Sequence, residues 1–148
     1  MNKKYELSKI LPHDAPMIFL DELLNVDLEK NSVTTSVTIT KDKILFDREI
    51  NGISALAGIE FMAQTIGCYA YFQNKLSEPK IGFLLGSRFY EADLEKFELG
   101  KTYTIFAQQA FSDNELVSFE CFIYNEGKEC AKAKVNVYQP LNRENLDI

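Results

Sequence analysis

The sequence predicts an α+β fold in which an antiparallel sheet of about five or six strands curls around one long helix. One segment, Ile53 to Phe72, is almost wholly apolar, has one charge and no proline, and is too long for an ordinary strand. The C-terminal half instead alternates apolar and polar residues with the period of half-buried strands. A sheet wrapped around one buried helix covers both kinds of apolar face, although a helix-plus-sheet sandwich of another topology remains the alternative.

The strand candidates are defined by their alternation and by the turns between them. Asn125-Glu126-Gly127-Lys128 is a hairpin signal, and Ser112-Asp113-Asn114 is typical of the turn before it. The candidates are Pro16 to Val26 with a start near Met17, Val33 to Thr40, Gly82 to Tyr90, Tyr103 to Ala107, Val117 to Ile123 and Ala131 to Val137.

The remaining segments complete a single domain of 148 residues. Tyr5 to Leu11 could form one helical turn, and Lys41 to Asn51 is expected to be a loop. Ser54 is a suitable N-cap for the long helix. The polar tail from Pro140 to Ile148 is expected to fray.

Composition excludes several classes of function. The formal net charge of −6 disfavours nucleic acid as the main partner. A single histidine and cysteines at positions 68, 121 and 130, which lack metal-ligand spacing, argue against a zinc site. The first residues lack the apolar stretch of a signal peptide, and no segment is long enough for a membrane span, so a reducing cytoplasm is the expected compartment.

Glu60 is the first candidate for chemistry, because it is the one charge within the apolar segment. A buried, unpaired carboxylate carries a large desolvation cost, and such groups often work as general acids or bases. Gln64 lies four residues further on and therefore shares a helix face with Glu60. The alternative is a carboxylate at an interface or in a structural hydrogen bond.

Two further residues are candidates on their sequence context. His13 is the only imidazole and lies between Pro12 and Pro16, which restrict the backbone. Arg88 follows a mostly apolar run and could pair with Glu60 or Glu91, or reach a phosphate. The alternatives are a surface-loop histidine and an edge-strand arginine in solvent.

Two motifs together resemble a known enzyme family. Leu11-Pro12-His13-Asp14-Ala15-Pro16-Met17, followed by Leu20-Asp21, resembles the opening of β-hydroxyacyl-[acyl-carrier-protein] dehydratases. Gly58-Ile59-Glu60-Phe61-Met62-Ala63-Gln64 resembles the central-helix motif of the same family. The branch associated with aryl-polyene pigment synthesis is the most similar, since it also carries an element like Gly82 to Arg88. The resemblance extends over roughly Leu11 to Gly100.

The resemblance implies a hot-dog fold that pairs into dimers, with active sites at the subunit boundary. Its substrate would be a 3-hydroxyacyl chain on the phosphopantetheine of an acyl carrier protein, dehydrated to the trans-2-enoyl thioester. No metal or dissociable cofactor is expected. Glu60 would be the catalytic carboxylate, and Gln64 would orient it. Beyond what the resemblance implies, we hypothesise that His13 is the second catalytic group, with the acid and base roles of Glu60 and His13 open, and that Gln64, Gly58 and Arg88 contact the substrate.

The chain departs from this family at one position. Fatty-acid dehydratases carry their catalytic histidine in a loop upstream of the helix, but the corresponding stretch here, Phe46 to Gly52, contains none. His13 is the only available replacement. Two other functions therefore stay open, namely an acyl-thioester hydrolase of the same fold and a non-catalytic protein that completes a heterodimer with an active dehydratase or binds acyl chains without acting on them. The expected assembly is a homodimer or a heterodimer with another hot-dog subunit. Arg48, Lys75, Lys80 and Arg88 are candidates for carrier docking.

Overall fold

The computed structural model describes residues 7–11, 17–73, 83–113 and 116–138, and of residues 83–88 it describes the backbone alone. The elements in chain order are α1 (Leu7–Ile10), β1 (Glu22–Asp27), β2 (Ser32–Thr38), β3 (Phe46–Asp47), β4 (Gly52–Ser54), a 3-10 turn (Ala55–Ala57), α2 (Gly58–Gln73), β5 (Phe83–Ala92), β6 (Lys96–Glu98), β7 (Thr102–Asp113), β8 (Leu116–Asn125) and β9 (Lys128–Tyr138).

The main layer is a six-stranded antiparallel sheet with the order β1-β2-β7-β8-β9-β5. Helix α2 lies against one face of this sheet. A smaller sheet with the order β3-β4-β6 lies beside the start of the helix. This architecture confirms the predicted α+β hot-dog fold, in which the sheet covers the apolar faces of the helix.

The hairpin between β8 and β9 forms where the sequence predicts it. Asn125 pairs with Lys128, and the two residues between them, Glu126 and Gly127, have φ angles of 53° and 81°. Two positive φ values are the signature of the tight turn that matches the twist of paired strands. The alternation of β9 is also confirmed, since its buried residues are Ala131, Ala133, Val135 and Val137.

The long helix begins later than predicted. The helix was expected from Ile53, but Gly52–Ser54 forms β4, and α2 starts at Gly58. Ile53 is fully buried and pairs with Phe97 of β6, so a neighbouring strand takes its backbone hydrogen bonds. A Cβ at position 52 would lie 2.4 Å from the Phe97 carbonyl oxygen, so this close approach of two backbones requires glycine. Ser54 still acts as a cap, but of the 3-10 turn.

One other boundary and two short strands differ from the prediction. The first strand begins at Glu22 rather than near Met17. The segment expected to be a loop contains the two-residue β3, and the short β6 was not predicted. Strands of two or three residues are too short to show a period in the sequence.

One aromatic cluster joins the two sheets to the helix. Phe61 of α2 packs on Phe97 of β6 with a ring separation of 5.3 Å, and Phe97 packs edge-on against Tyr103 of β7 at 4.9 Å. Further along α2, the Thr65 and Thr35 hydroxyls lie 2.7 Å apart, so a buried hydrogen bond fixes the helix to β2. The helix is therefore held to the sheet by both apolar and polar contacts.

The thiols of Cys68 and Cys121 are expected to resist modification in the folded protein. Burial raises the pKa of each to about 12, and the thiolate is the reactive form. Burial also raises the pKa of Cys130, but this thiol is only half-buried, so it should react with a disulfide reagent at pH 8 before the other two, while all three should react in urea. Counting the thiols released over time measures this, and rapid reaction of three thiols without urea would contradict it.

Within the described ranges, no helix is long and apolar enough to cross a membrane.

Candidate active site at the start of helix α2

Glu60 lies in the first turn of α2, and its side chain is exposed in the single chain. The sequence predicted a buried carboxylate, and this is wrong for the isolated subunit because the buried face of the first turns is formed by Gly58, Phe61 and Met62. A carboxylate at this position also interacts favourably with the positive end of the helix dipole. One turn earlier, Leu56 is 78% exposed, so an apolar side chain lies on the surface beside the carboxylate.

Gly58 lies beneath the phenol of Tyr90, a contact that the sequence did not indicate. A Cβ at position 58 would be 2.1 Å from the Tyr90 hydroxyl oxygen. The hydroxyl donates to the Ala55 carbonyl, and the Gly58 N–H donates to the same oxygen. Burial raises the pKa of Tyr90 to about 12, so it remains a donor at neutral pH. The Gly58 N–H thus already has an acceptor, and the proposed contact of Gly58 with substrate stays a prediction.

Gly58→Ala should destabilise the protein because the new methyl group displaces the Tyr90 hydroxyl. The expected loss is about 1–3 kcal/mol in the free energy of unfolding, typical of overpacking. Tyr90→Phe removes the clashing oxygen, so the double variant should lose less than the sum of the two single losses. Urea unfolding of the four proteins measures this coupling, and strictly additive losses would contradict the contact.

Gln64 performs a different structural task from the one predicted. It is 3% exposed, its Oε1 accepts from the Phe19 N–H at 2.9 Å, and its Nε2 donates to the Met17 carbonyl at 2.6 Å. The sequence predicted that Gln64 orients Glu60, but the amide instead binds the backbone of the segment before β1. This explains why β1 starts late, since residues 17–19 are held by the helix and not by the sheet.

A second contact fixes the chain on the other side of His13. Leu11 is 1% exposed and packs against Gly67, where a Cβ would lie 2.9 Å from Leu11 Cδ2. The helix therefore holds the chain at Leu11 and again at Met17. Residues 12–16, and with them the predicted catalytic His13, lie outside the described residues.

The structure describes only some of the other residues that the sequence predicts to have a function. The backbone of Arg88 lies in β5 at an irregularity of its pairing with β9, and its side chain is not among those described. Glu91, one of its predicted partners, lies 3.6 Å from Lys132. Arg48 is exposed next to β3, and both Lys75 and Lys80 lie outside the described residues.

Asp21, from the N-terminal motif, has a structural function. Its Oδ2 accepts from the Thr38 N–H at 2.6 Å, and its Oδ1 accepts from Lys43 Nζ at 2.9 Å. These bonds tie the entry to β1 to the end of β2. Among the described residues, no group of three His, Cys, Asp or Glu side chains could hold a metal ion.

The described part of the site thus combines an exposed carboxylate at a helix start, an apolar side chain beside it and a buried amide that fixes a neighbouring segment. A carboxyl group in this position can donate or accept a proton. The antiparallel sheet with its central helix defines the chain as a protein of the hot-dog class.

Comparison with known proteins identifies the family. A model of the ApeP-like dehydratases, described as ApeP dehydratase, matches residues 5–147. The chain belongs to the ApeP-like dehydratase family.

Solved structures agree with this assignment. The chain is similar to the dehydratase heterocomplex ApeI:P from Xenorhabdus doucetiae, with 29% identity, 97% of each chain covered and a TM-score of 0.83. A hypothetical thioesterase with coenzyme A from Streptococcus pneumoniae TIGR4 has 14% identity, 79% and 83% coverage and a TM-score of 0.62. The E. coli PaaI protein of the phenylacetic acid degradation operon has 14% identity, 79% and 81% coverage and a TM-score of 0.61. The last two likenesses show the fold alone.

Proposed function

We propose that the protein dehydrates a 3-hydroxyacyl thioester carried on an acyl carrier protein to the trans-2-enoyl thioester, in polyene pigment or fatty-acid-like synthesis. The observation that carries this proposal is the pair of hydrogen bonds that Gln64 makes, donating to the Met17 carbonyl and accepting from the Phe19 N–H. They attach the segment that follows His13 to the helix, one turn from Glu60. The family assignment supports the reaction class.

The proposal requires His13 to lie near the carboxylate of Glu60, and the length of chain between the two attachments limits where it can lie. Five residues separate Leu11 from Met17, so this segment spans at most about 20 Å between its two attachments. Along the helix axis, Glu60 is about 6 Å from Gln64 and about 10 Å from Gly67. Removal of a proton and a hydroxyl from neighbouring carbons requires a base and an acid a few ångströms apart, so the proposal requires this separation between His13 and Glu60.

In the proposed reaction, His13 takes the proton from C2, whose acidity the thioester carbonyl increases. The C2–H electrons form the C2=C3 bond, the C3–O bond breaks, and Glu60 protonates the departing hydroxyl, which leaves as water. The roles of the two groups could be reversed, or Glu60 could perform both. Since the Gly58 N–H already donates to Ala55, another N–H of the first turn would polarise the carbonyl.

We propose further that a second hot-dog subunit, identical or related, covers the start of α2. Leu56 and Glu60 are both exposed here, and an apolar residue beside a reactive carboxylate is better suited to an interface than to water. The similar protein from X. doucetiae is a heterocomplex. Burial by a partner would exclude water from Glu60, in agreement with the buried carboxylate that the sequence predicts.

An intact-mass assay tests the reaction. The purified protein is incubated with a 3-hydroxyacyl carrier protein, and a loss of about 18 Da, one water, is expected from elimination. Loss of the whole acyl group with release of free thiol would instead indicate a thioester hydrolase. No mass change with any chain length tested would overturn the dehydratase proposal for the protein in the form assayed.

A non-catalytic role is the second candidate, because Phe46 to Gly52 contains no histidine. In that case the chain would complete the site of an active partner subunit. It would show no activity alone, it would co-purify with a second hot-dog subunit, and Glu60→Gln would leave the activity of the complex unchanged. A large loss on Glu60→Gln in the complex would exclude this role.

A further inference from the structure

A basic cleft lies beside the β3–β4 hairpin. It has a volume of about 340 Å³ and is lined by Lys41, Phe46, Arg48 and Asn51. This volume is within the range of small-ligand sites. Both cationic side chains belong to exposed residues, whereas Phe46 is half-buried. The cleft therefore presents two positive charges, an amide and an apolar ring to one ligand.

Neither cation of the cleft has a carboxylate partner among the described residues, although acidic residues flank both in sequence. Asp42 accepts a hydrogen bond from the Thr40 hydroxyl, and Asp47 accepts one from the Glu49 N–H. The nearby Lys43, by contrast, pairs with Asp21. In a chain with a net charge of −6, two unpaired cations on one cleft mark a local site for an anion.

The frame of the cleft is fixed by backbone hydrogen bonds. Phe46 pairs with Ile53 across β3 and β4. Asn51 has a φ of 54°, and its carbonyl accepts from the Leu99 N–H. Lys96 Nζ donates to the Ile50 carbonyl at 2.6 Å. A cleft held in this way is preorganised, so binding a ligand requires little ordering of the chain.

The chemistry of the lining selects the kind of anion. Arginine and lysine side chains together favour a phosphate, which arginine binds through two parallel hydrogen bonds. Phe46 offers an apolar wall that a bare inorganic ion would not use. The cleft thus suits a phosphate attached to an aliphatic arm. The hairpin leads through Ser54 and the 3-10 turn Ala55–Ala57 into the helix that carries Glu60, so the cleft and the candidate active site lie on consecutive elements of the chain.

We propose that this cleft binds the phosphate of the phosphopantetheine arm that presents the acyl thioester. The inference rests on the proposed function, which supplies such an arm. Lys41 and Arg48 hold the phosphate and Phe46 contacts the adjoining aliphatic carbons. The same phosphate occurs in the free arm and in the arm attached to a carrier protein, and the experiment below distinguishes these two sources.

Binding of the free arm is tested first, by calorimetry or by the phosphorus NMR signal of 4′-phosphopantetheine. The Lys41→Gln/Arg48→Gln double variant should bind at least about tenfold more weakly, the size expected for losing charge-assisted hydrogen bonds. Lys30→Gln/Lys128→Gln removes the same charge at exposed positions outside the cleft and should bind as the wild type does. Equal weakening in both double variants, or no binding by the wild type, would overturn the proposal.

Steady-state kinetics distinguish the phosphate of the free arm from that of the arm attached to a carrier protein. The cleft variant should raise the KM for 3-hydroxyacyl phosphopantetheine at least about tenfold more than the KM for the phosphate-free pantetheine thioester. An increase confined to the carrier-borne substrate would overturn the proposal in favour of contacts with the carrier surface. If no thioester is dehydrated by any form, the proposed function fails, and the binding titration still decides whether the cleft holds phosphate.

Discussion

Glu60→Gln is expected to reduce dehydration by about a hundredfold to ten-thousandfold, the usual contribution of one general acid or base. The substitution keeps the size of the side chain and removes its ability to exchange a proton. The measurement is kcat for a 3-hydroxyacyl thioester, in whichever assembly the wild-type protein is active. Glu60→Asp keeps the carboxyl group but shortens its reach, so it should retain more activity than Glu60→Gln.

The fold should survive this substitution because Glu60 is exposed in the single chain. Loss of a charge in the first helical turn costs about 0.3–1 kcal/mol, which urea unfolding can measure. Glu29→Gln is a matched control, since Glu29 is an exposed glutamate in a turn outside the candidate site. Normal turnover by Glu60→Gln would show that the carboxylate has no part in the reaction.

Gln64→Leu is expected to destabilise the protein by about 2–5 kcal/mol. The leucine fills a similar volume but leaves the Phe19 N–H and the Met17 carbonyl without their buried partner, and each unsatisfied group costs about 1–3 kcal/mol. The same change releases the segment that follows His13 from the helix, so dehydration should decrease as well. Gln73→Leu, at the exposed end of the same helix, should change stability by less than about 0.5 kcal/mol.

Gln64→Glu distinguishes the contribution of the Gln64 hydrogen bonds from that of the volume its side chain fills. A protonated glutamate can still donate to the Met17 carbonyl, whereas an ionised one cannot, so the folded variant favours the protonated form. Its stability relative to the wild type should therefore fall as the pH rises through the titration of a carboxyl group. A difference from the wild type that does not change between pH 4 and pH 8 would contradict this account of the Gln64 contacts.

The sequence predicts the large elements well because they have enough residues to show a period. The apolar length of α2 and the alternation in β8 and β9 fix the layers, and Gly127 marks the hairpin. The element boundaries that the sequence does not predict depend on tertiary contacts. Ile53 is as apolar as its helical neighbours, and only the pairing with Phe97 makes it part of a strand.

The sequence identifies candidate residues of the site but does not predict the surroundings of their side chains. A lone glutamate in an apolar segment indicated Glu60, but hydropathy alone does not distinguish a buried helix face from one that is exposed in the single chain. The role of Gln64 depends on backbone groups at Met17 and Phe19, far away in the sequence. The contact between Gly58 and Tyr90 joins a helix to an edge strand and leaves no local pattern.

The order of strands in the sheet determines when the chain can fold during its synthesis. Strand β2 pairs with β7, and β5 pairs in this sheet only with β9, so the sheet closes only after residues up to 138 have left the ribosome. Before β7 is made, the apolar side chains of α2 have only β1 and β2 of that sheet to cover them, and β5 stays unpaired until β9 follows. Such late, long-range pairing slows folding and exposes nascent chains to aggregation. A chain truncated within β9 would therefore leave β5 without its partner strand and the part of α2 that contacts β5 and β9 uncovered.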